Sequence, residues 1–264
     1  MRQEDRVPAR DRIGKIQTVT GLIDPEMLGV CLTHEHLLLD LSDLLPPPNT
    51  ASARGFYASP LTVEAAAYCR NYSEFSTAHH RLDSVETAVE ELGLFKQHGG
   101  QAMIDLTLPD IYRDPLGLRR ISRTIGVHVV MGCGFYVAAA HPPALADWSE
   151  EQIAAMIVAD IVEGAAAEEE SRSTGKGVVH RRNTGVRAGV IGEIGCSSPL
   201  HDDERKCLRA AARAQRQTGA TVFVHPGRAE TAPLEILDQL SSAGADLQRV
   251  VLAHLDRTAF NRDM

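Results

Sequence analysis

Short apolar runs alternate with helical patterns along most of the chain. Each run is bounded by glycine or polar residues, as in AMIDLT, VHVVMGCG and VFVH. Buried parallel strands look like this, and their alternation with helices indicates βαβ units. The periodicity predicts helices at about residues 85–98, 114–125, 149–165, 201–218 and 231–244. With the strand that ends at His34, six parallel strands are expected, which suits a barrel or a doubly wound sheet.

The first residues lie outside this pattern. Residues 1–14 are charged and are expected to be a flexible lead-in. Residues 15–33 are expected to form two short β segments around the turn-forming pair Asp24-Pro25.

Two later stretches also interrupt the alternation of apolar runs and helical patterns. Residues 40–85 show no regular pattern, and a stretch of this length without clear structure usually carries function or caps another part of the fold. Residues 166–185 are polar and rich in charge, so they are expected to be an insertion that forms a surface loop. Because the whole chain has 264 residues, one barrel domain over residues 15–264 is the simplest organisation.

Composition narrows the class of partner. The net charge of −8 disfavours nucleic acid, because phosphate binding needs a basic surface. No apolar run reaches the roughly 18 residues of a membrane span, and the N-terminus lacks the apolar region of a secretory signal. The five cysteines are odd in number and include no C-x-x-C pair, which favours reduced thiols. We therefore expect a cytoplasmic protein with neither nucleic acid nor membrane as a partner.

Five side chains of metal-binding type fall at strand ends. They are His34, His36, Glu193, His225 and His254. The C-terminal ends of barrel strands meet on one face, so these side chains are expected to converge. Imidazole and carboxylate suit zinc and related divalent ions. A carboxylate shared between two ions about 3.5–4 Å apart would allow a bridging hydroxide to act as nucleophile.

Three further residues are candidates for substrate binding. Arg228 and Arg257 each follow a candidate ligand closely, and arginine binds anions through several donors. The alternative for both is an ion pair at the surface. Tyr136, together with Phe135, ends the third strand and is expected either to wall the pocket or to belong to the core.

These motifs together resemble those of the phosphotriesterase family within the amidohydrolase superfamily. The resemblance rests on the motifs LTHEHL at 32–37, GVIGEIGCSSPL at 189–200, VFVHPGR at 222–228 and VLAHLDR at 251–257. More narrowly, the chain resembles the phosphotriesterase-related branch of animals, over nearly its whole length from about residue 15 except for residues 166–185.

The resemblance implies an α/β fold of the TIM (β/α)8 barrel type with two divalent ions, usually zinc. His34 and His36 would hold the first ion, His225 and His254 the second, and Glu193 would bridge them. We assign catalytic roles to Glu193 and His254. The implied activity is hydrolysis of the amide bond of N-acetyltaurine or related N-acyl amino sulfonates and amino acids.

An anionic acylated substrate would then use Arg228, Arg257 and Tyr136. Hydrolysis of lactones or phosphotriesters is the alternative within the same class. A homodimer is included among the expected partners, although the sequence does not fix the oligomeric state.

One departure from the family pattern raises another alternative. The family carries an aspartate at the end of the eighth strand, which binds the first metal and acts as general base. The sequence stops at Met264, after the sixth expected strand, so the barrel is expected to be truncated there. A catalytically impaired metal-binding protein is therefore kept as an alternative.

Overall fold

The computed structural model describes residues 12–57, 59–60, 62–70, 76–168 and 181–258. The expected flexible lead-in lies outside the described residues up to residue 11. Its last part is tied to the domain, because Arg12 donates hydrogen bonds to the backbone carbonyls of Ile161 and Val162 at 2.8 and 2.9 Å. The flexible lead-in over residues 1–14 stays a prediction.

The described chain alternates strands and helices. The strands are β1 (Ile16–Thr18), β2 (Gly21–Ile23), β3 (Cys31–Glu35), β4 (Leu39–Asp40), β5 (Arg81–Leu82), β6 (Ala102–Asp105), β7 (His128–Met131), β8 (Ala166–Glu168), β9 (Arg181–Asn183), β10 (Ile191–Gly195), β11 (Val222–His225) and β12 (Val250–Leu252). The helices are α1 (Ala51–Tyr57), α2 (Val63–Cys69), α3 (Val85–Gln97), α4 (Pro115–Ile125), α5 (Glu150–Val162), α6 (Asp202–Thr218) and α7 (Ala232–Ser242).

Six of these strands form the framework of a barrel. Strands β3, β6 and β7 pair in parallel in that order, and so do β10, β11 and β12. Backbone hydrogen bonds from Gly189 to Met131 at 2.8 Å and from Gly195 to Phe135 at 3.1 Å join the two groups at β7 and β10. The strand order thus follows the chain order, with at least one helix between consecutive strands of the framework. A doubly wound sheet would reverse direction at a switch point, so the barrel prediction is confirmed.

Local capping chemistry explains the helix starts that the sequence predicts. Ser149 and Gln152 exchange hydrogen bonds in a capping box at the start of α5. Asp114 accepts from two backbone N–H groups at the start of α4, where Pro115 occupies the first turn. The five predicted helices are confirmed, with bounds that differ by at most a few residues.

Successive side chains of β7 point to opposite faces of the sheet and so belong to two different hydrophobic clusters. Val129 and Met131 lie in the large cluster between the sheet and helices α5 and α6. Val130 points to the other side, where it packs with Leu106 and Phe223 inside the barrel. The N-terminal hairpin of β1 and β2 lies beneath this interior, and Val19 donates a hydrogen bond to Val129 at 2.8 Å.

Three segments differ from the sequence expectation. Strands β1 and β2 form an antiparallel hairpin that ends before Asp24, and Pro25 begins a single 3-10 turn, so the turn lies elsewhere than predicted. The stretch 40–85 contains α1, α2 and the antiparallel pair of β4 and β5. The ends of the insertion 166–185 pair as β8 and β9, while residues 169–180 lie outside the described residues.

Cations lie at the C-terminal ends of the barrel helices. Lys96 donates to the Ile125 carbonyl at the end of α4, and Arg249 donates to Gly219 after α6 at 3.1 Å. Arg12 does the same for α5. A helix leaves its last carbonyls without partners, so a cation there satisfies both the hydrogen bonds and the helix dipole. Among the described residues, no helix combines the length and apolarity that crossing a bilayer requires.

Candidate metal centre

The barrel topology brings the five predicted metal-binding side chains to one place. His34 lies in β3, and His36 follows that strand directly. Glu193 lies in β10, and His225 is the last residue of β11. His254 follows the end of β12 by two residues and has a φ of 55°. Parallel pairing explains the convergence, because all these positions are C-terminal strand ends.

Glu193 lies at the centre of four imidazole rings. Its Oε2 lies 3.2 Å from His34 Nε2, 3.1 Å from His225 Nδ1 and 3.7 Å from His254 Nε2. Its Oε1 lies 3.3 Å from His36 Nε2. The carboxylate therefore faces two histidines from each group of three parallel strands.

This donor set suits a pair of divalent ions. Two groups have ligand atoms that all lie within 4.8 Å of one another: His34, His36 and Glu193 in one, and Glu193, His225 and His254 in the other. Each group offers two imidazole nitrogens and a carboxylate oxygen, a common ligand combination for zinc. Because Glu193 belongs to both groups, the residues present fit a binuclear centre with a shared carboxylate.

The electrostatics of the cluster favour an ionised Glu193. Only 1% of this residue is exposed. Burial acts to raise the pKa of Glu193, but hydrogen bonds with His225, His34 and His36 outweigh it and hold that pKa below its usual range. Burial and the nearby His225 lower the pKa of His254. A neutral imidazole is the form that binds a metal, so His254 is prepared for ligation.

Glycines allow the strands to meet closely at this acid. Gly192 has a φ of 105°, and a Cβ there would lie 2.1 Å from the carbonyl oxygen of Phe223. Only glycine fits such a close approach of two backbones. This packing brings β10 and β11 together and places Glu193 beside His225.

Tyr136 lies next to the cluster, whereas Phe135 belongs to the core. The Tyr136 hydroxyl lies 3.4 Å from His225 Nδ1. Its backbone is held on both sides: the N–H donates to Asp110 Oδ2 at 2.7 Å, and the carbonyl lies 2.8 Å from His141 Nε2. Phe135 is only 1% exposed and packs in the large cluster.

The charges of both candidate arginines act on the Tyr136 phenol. Burial and then the charge of Glu193 raise the pKa of Tyr136, while Arg257 and Arg228 act to lower it. Arg257 also donates to the Pro226 carbonyl at 3.0 Å, which holds its side chain over the end of β11. Arg228 is exposed. Arg257 and Tyr136 thus lie at the end of β11 beside His225, and the role of Arg228, Arg257 and Tyr136 in substrate binding stays a prediction.

Two residues that the strand-end pattern did not single out lie against His36. Thr107 Oγ1 lies 3.0 Å from His36 Nδ1. Asp105 accepts from the Leu37 N–H at 2.7 Å and from the Thr107 N–H at 3.0 Å. The sequence did contain a signal for Asp105, because the run AMIDLT places this acid at the end of a parallel strand, as in the other candidate positions.

The chain is similar to known proteins in both sequence and structure. The N-acetyltaurine hydrolase of Homo sapiens is 37% identical over 251 residues, which cover 94% of this chain and 67% of that protein. The crystal structure of a resiniferatoxin-binding protein from Rhodobacter sphaeroides is similar with a TM-score of 0.82 and 37% identity, over 94% of this chain and 65% of that one. An organophosphorus hydrolase from Deinococcus radiodurans is similar with a TM-score of 0.65 and 26% identity, over 92% of this chain and 62% of that one.

The chain spans about two thirds of the length of these relatives. The sequence profile of the phosphotriesterase family matches residues 14–264, which include every residue of the cluster. The strand-end histidines, the parallel barrel framework and this match agree, and the predicted family resemblance is confirmed. The chain belongs to the phosphotriesterase family.

Proposed function

We propose that this chain carries the metal centre of a zinc-dependent hydrolase that cleaves the amide bond of N-acetyltaurine or related N-acyl amino sulfonates and amino acids. The observation that carries the proposal is the set of four imidazoles around the buried Glu193. Similarity to the human N-acetyltaurine hydrolase supports the choice of substrate. When bound, two divalent ions supply Lewis-acid polarisation of the acyl carbonyl and activation of water.

The residues of the chain have separate tasks in this proposal. His34 and His36 hold one ion, and His225 and His254 hold the other. Glu193 offers one oxygen to His36 and the other to the remaining histidines, so it can be shared between both ions. Its low pKa keeps it charged, and that charge offsets part of the positive charge of the site. We assign catalytic roles to Glu193 and His254 because both would hold the ions that polarise the acyl carbonyl.

The mouth of the site suits an anionic substrate tail. A sulfonate or carboxylate offers several acceptor oxygens, and guanidinium groups bind such anions through several donors. The charges of Arg228 and Arg257 act on the Tyr136 phenol, which lies 3.4 Å from His225 Nδ1. The tail therefore lies over the arginines while the acyl group reaches the cluster.

A second candidate is hydrolysis of lactones or phosphotriesters. The similarity to the organophosphorus hydrolase from Deinococcus radiodurans favours it, since that protein matches 92% of this chain. A panel of N-acetyltaurine, N-acetylated amino acids, lactones and a phosphotriester separates the two candidates. An uncharged ester cleaved faster than every N-acyl amino sulfonate would favour the second candidate.

The test begins with zinc content and N-acetyltaurine hydrolysis by the purified chain. We expect about two zinc equivalents per chain, and loss of both zinc and turnover in His34→Ala. His98→Ala is the matched control, since His98 is an exposed histidine at the end of α3. Arg257→Met is expected to raise KM for N-acetyltaurine by at least about tenfold. Zinc binding without turnover on any member of the panel would overturn the hydrolase and leave a metal-binding protein.

A further inference from the structure

The candidate ligand His36 has contacts on both ring nitrogens. Its Nε2 lies 3.3 Å from Glu193 Oε1 and belongs to the donor set described above. Its Nδ1 lies 3.0 Å from Thr107 Oγ1, on the opposite edge of the ring. Thr107 is fully buried, with 0% exposure, so water does not compete for this contact.

Asp105 fixes the hydroxyl of Thr107. Burial raises the pKa of Asp105, whereas its contacts with the Leu37 N–H, His36, and the N–H and side chain of Thr107 act to lower it. An ionised Asp105 can only accept, so in that form the Thr107 hydroxyl donates to it. A hydroxyl whose proton is used in this way offers its lone pairs to His36. With its own proton used in this way, Thr107 can accept a proton from His36 Nδ1 at 3.0 Å.

The same carboxylate also fixes the backbone on both sides of the contact. Asp105 accepts from the N–H of Leu37, which follows His36, and from the N–H of Thr107. A further bond from the Leu106 N–H to the Glu35 carbonyl at 2.9 Å joins the same two segments. With 0% exposure, Asp105 is shielded from solvent, and its bonds hold the ends of β3 and β6 together.

We propose that Thr107, held by Asp105, is a positioning residue that accepts the Nδ1 proton of His36 and so directs the Nε2 lone pair of that ring toward the metal. A neutral imidazole has one N–H and one lone pair, and the partner of the N–H decides which nitrogen is free to ligate. The inference rests on the proposed metal centre, and it assigns to Asp105 and Thr107 a task at that centre.

The test compares Thr107→Val with Thr107→Ser. Valine keeps the shape of threonine and removes the acceptor, whereas serine keeps the hydroxyl. We expect Thr107→Val to weaken zinc binding by about tenfold or more, measured by competition with a chelator, and Thr107→Ser to stay close to the native affinity. Thr18→Val is the matched control, because Thr18 is also fully buried but its hydroxyl bonds to the Gly21 carbonyl in the N-terminal hairpin.

A second readout is the Nδ1 proton of His36 in nitrogen-resolved NMR spectra. We expect a resonance that exchanges slowly with water in the native chain and in Thr107→Ser, and its loss in Thr107→Val. The measurement is made on the zinc-loaded chain and on the metal-free chain at roughly pH 5, where an imidazolium carries protons on both nitrogens.

The two readouts separate the inference from the proposed function. If native and Thr107→Val chains bind zinc equally well and show the same ring proton, the inference is overturned while the metal centre stands. If the native chain binds no zinc but shows the Thr107-dependent proton, the proposed function fails while the orientation of His36 is upheld. A loss of zinc affinity of the same size in Thr18→Val would assign the effect to stability and overturn the inference.

Discussion

Single buried charges at this site differ in how they are compensated. Glu193 is surrounded by imidazoles, and these hydrogen bonds outweigh the cost of burial for its charged form. Asp110 has fewer partners: one oxygen accepts from the Tyr136 N–H, while Oδ1 is buried without a hydrogen bond. Burial therefore raises the pKa of Asp110 to about 7, although Tyr136 and Arg113 act in the opposite direction. The two acids have opposite effects on stability as pH changes.

Asp110 makes a pH-dependent contribution whose sign follows from its raised pKa. An aspartate in the unfolded chain has a pKa of about 3.9, so between about pH 4 and 7 the folded chain binds more protons than the unfolded one. Stability from this residue is highest at low pH, falls as pH rises through that window, and is lowest above the folded pKa. Asp110→Asn keeps an acceptor oxygen for Tyr136 and removes the titration.

We expect Asp110→Asn to gain stability relative to the native chain as pH rises from 4 to 8. Urea unfolding of both chains across this range measures the difference. Asp147→Asn, at an exposed position, is the control and should give a constant difference. If the free energies of unfolding of Asp110→Asn and of the native chain change with pH in parallel, Asp110 keeps an ordinary pKa.

At the scale of elements, the two ends of the barrel have different tasks. The C-terminal strand ends carry the histidines and the loops that hold Tyr136. The helix C-termini lie at the opposite end, where Arg12, Lys96 and Arg249 satisfy their last carbonyls. The cavity of about 430 Å³ between Arg12 and Arg249 lies at this opposite end, and the helix carbonyls there account for these two arginines. Charge at this end therefore stabilises helices, and charge at the other end serves the site.

Arg12 tests whether the charges at the helix C-termini serve stability and not the metal centre. Arg12→Met removes two hydrogen bonds to the end of α5 and is expected to lower the free energy of unfolding by about 1 kcal/mol. Zinc stoichiometry should stay unchanged, because the site lies at the other end of the strands. Arg120→Met is the control, since it removes only an exposed ion pair with Glu86 and should change stability by less than about 0.5 kcal/mol. A loss of zinc in Arg12→Met would contradict this separation of stability and metal binding between the two ends of the barrel.

At the scale of the whole molecule, the metal centre joins distant parts of the barrel. His34 and His36 come from the group that contains β3, and Glu193, His225 and His254 come from the group of β10, β11 and β12. Among the described residues, β3 and β12 are the outer strands of this framework. A pair of ions shared through Glu193 therefore connects the first strand of the framework to the last three.

Metal removal should consequently lower the stability of the entire chain. A ligand that binds only the folded state stabilises it by about 2.7 kcal/mol at a concentration of 100 times its Kd. We expect zinc to raise the Tm of the native chain above that measured with a chelator, and to have little effect on the double variant His34→Ala, His225→Ala. Equal Tm values for the native chain with and without zinc would show that the ions do not bind preferentially to the folded state.

The sequence by itself determined the order of strands and helices and the positions of the five candidate ligands. Hydrophobic periodicity specifies strands and helices locally, and parallel barrel topology then requires their C-terminal ends to converge. Family motifs added the barrel class. The hairpin before Asp24 and the helices within residues 40–85 were not predicted, because short elements there depend on packing against the barrel more than on their own pattern.

Only the tertiary structure decided which polar groups support the ligands. The Thr107 side chain contacts the His36 ring although the two residues are 71 positions apart in the sequence. Asp110 accepts a hydrogen bond from the Tyr136 backbone, 26 positions away. No local pattern names these partners, because each contact depends on how two separate loops pack to within hydrogen-bond distance. The placement of a ligand at a strand end is a property of periodicity and topology, whereas the orientation of its ring is a property of the packed loops around it.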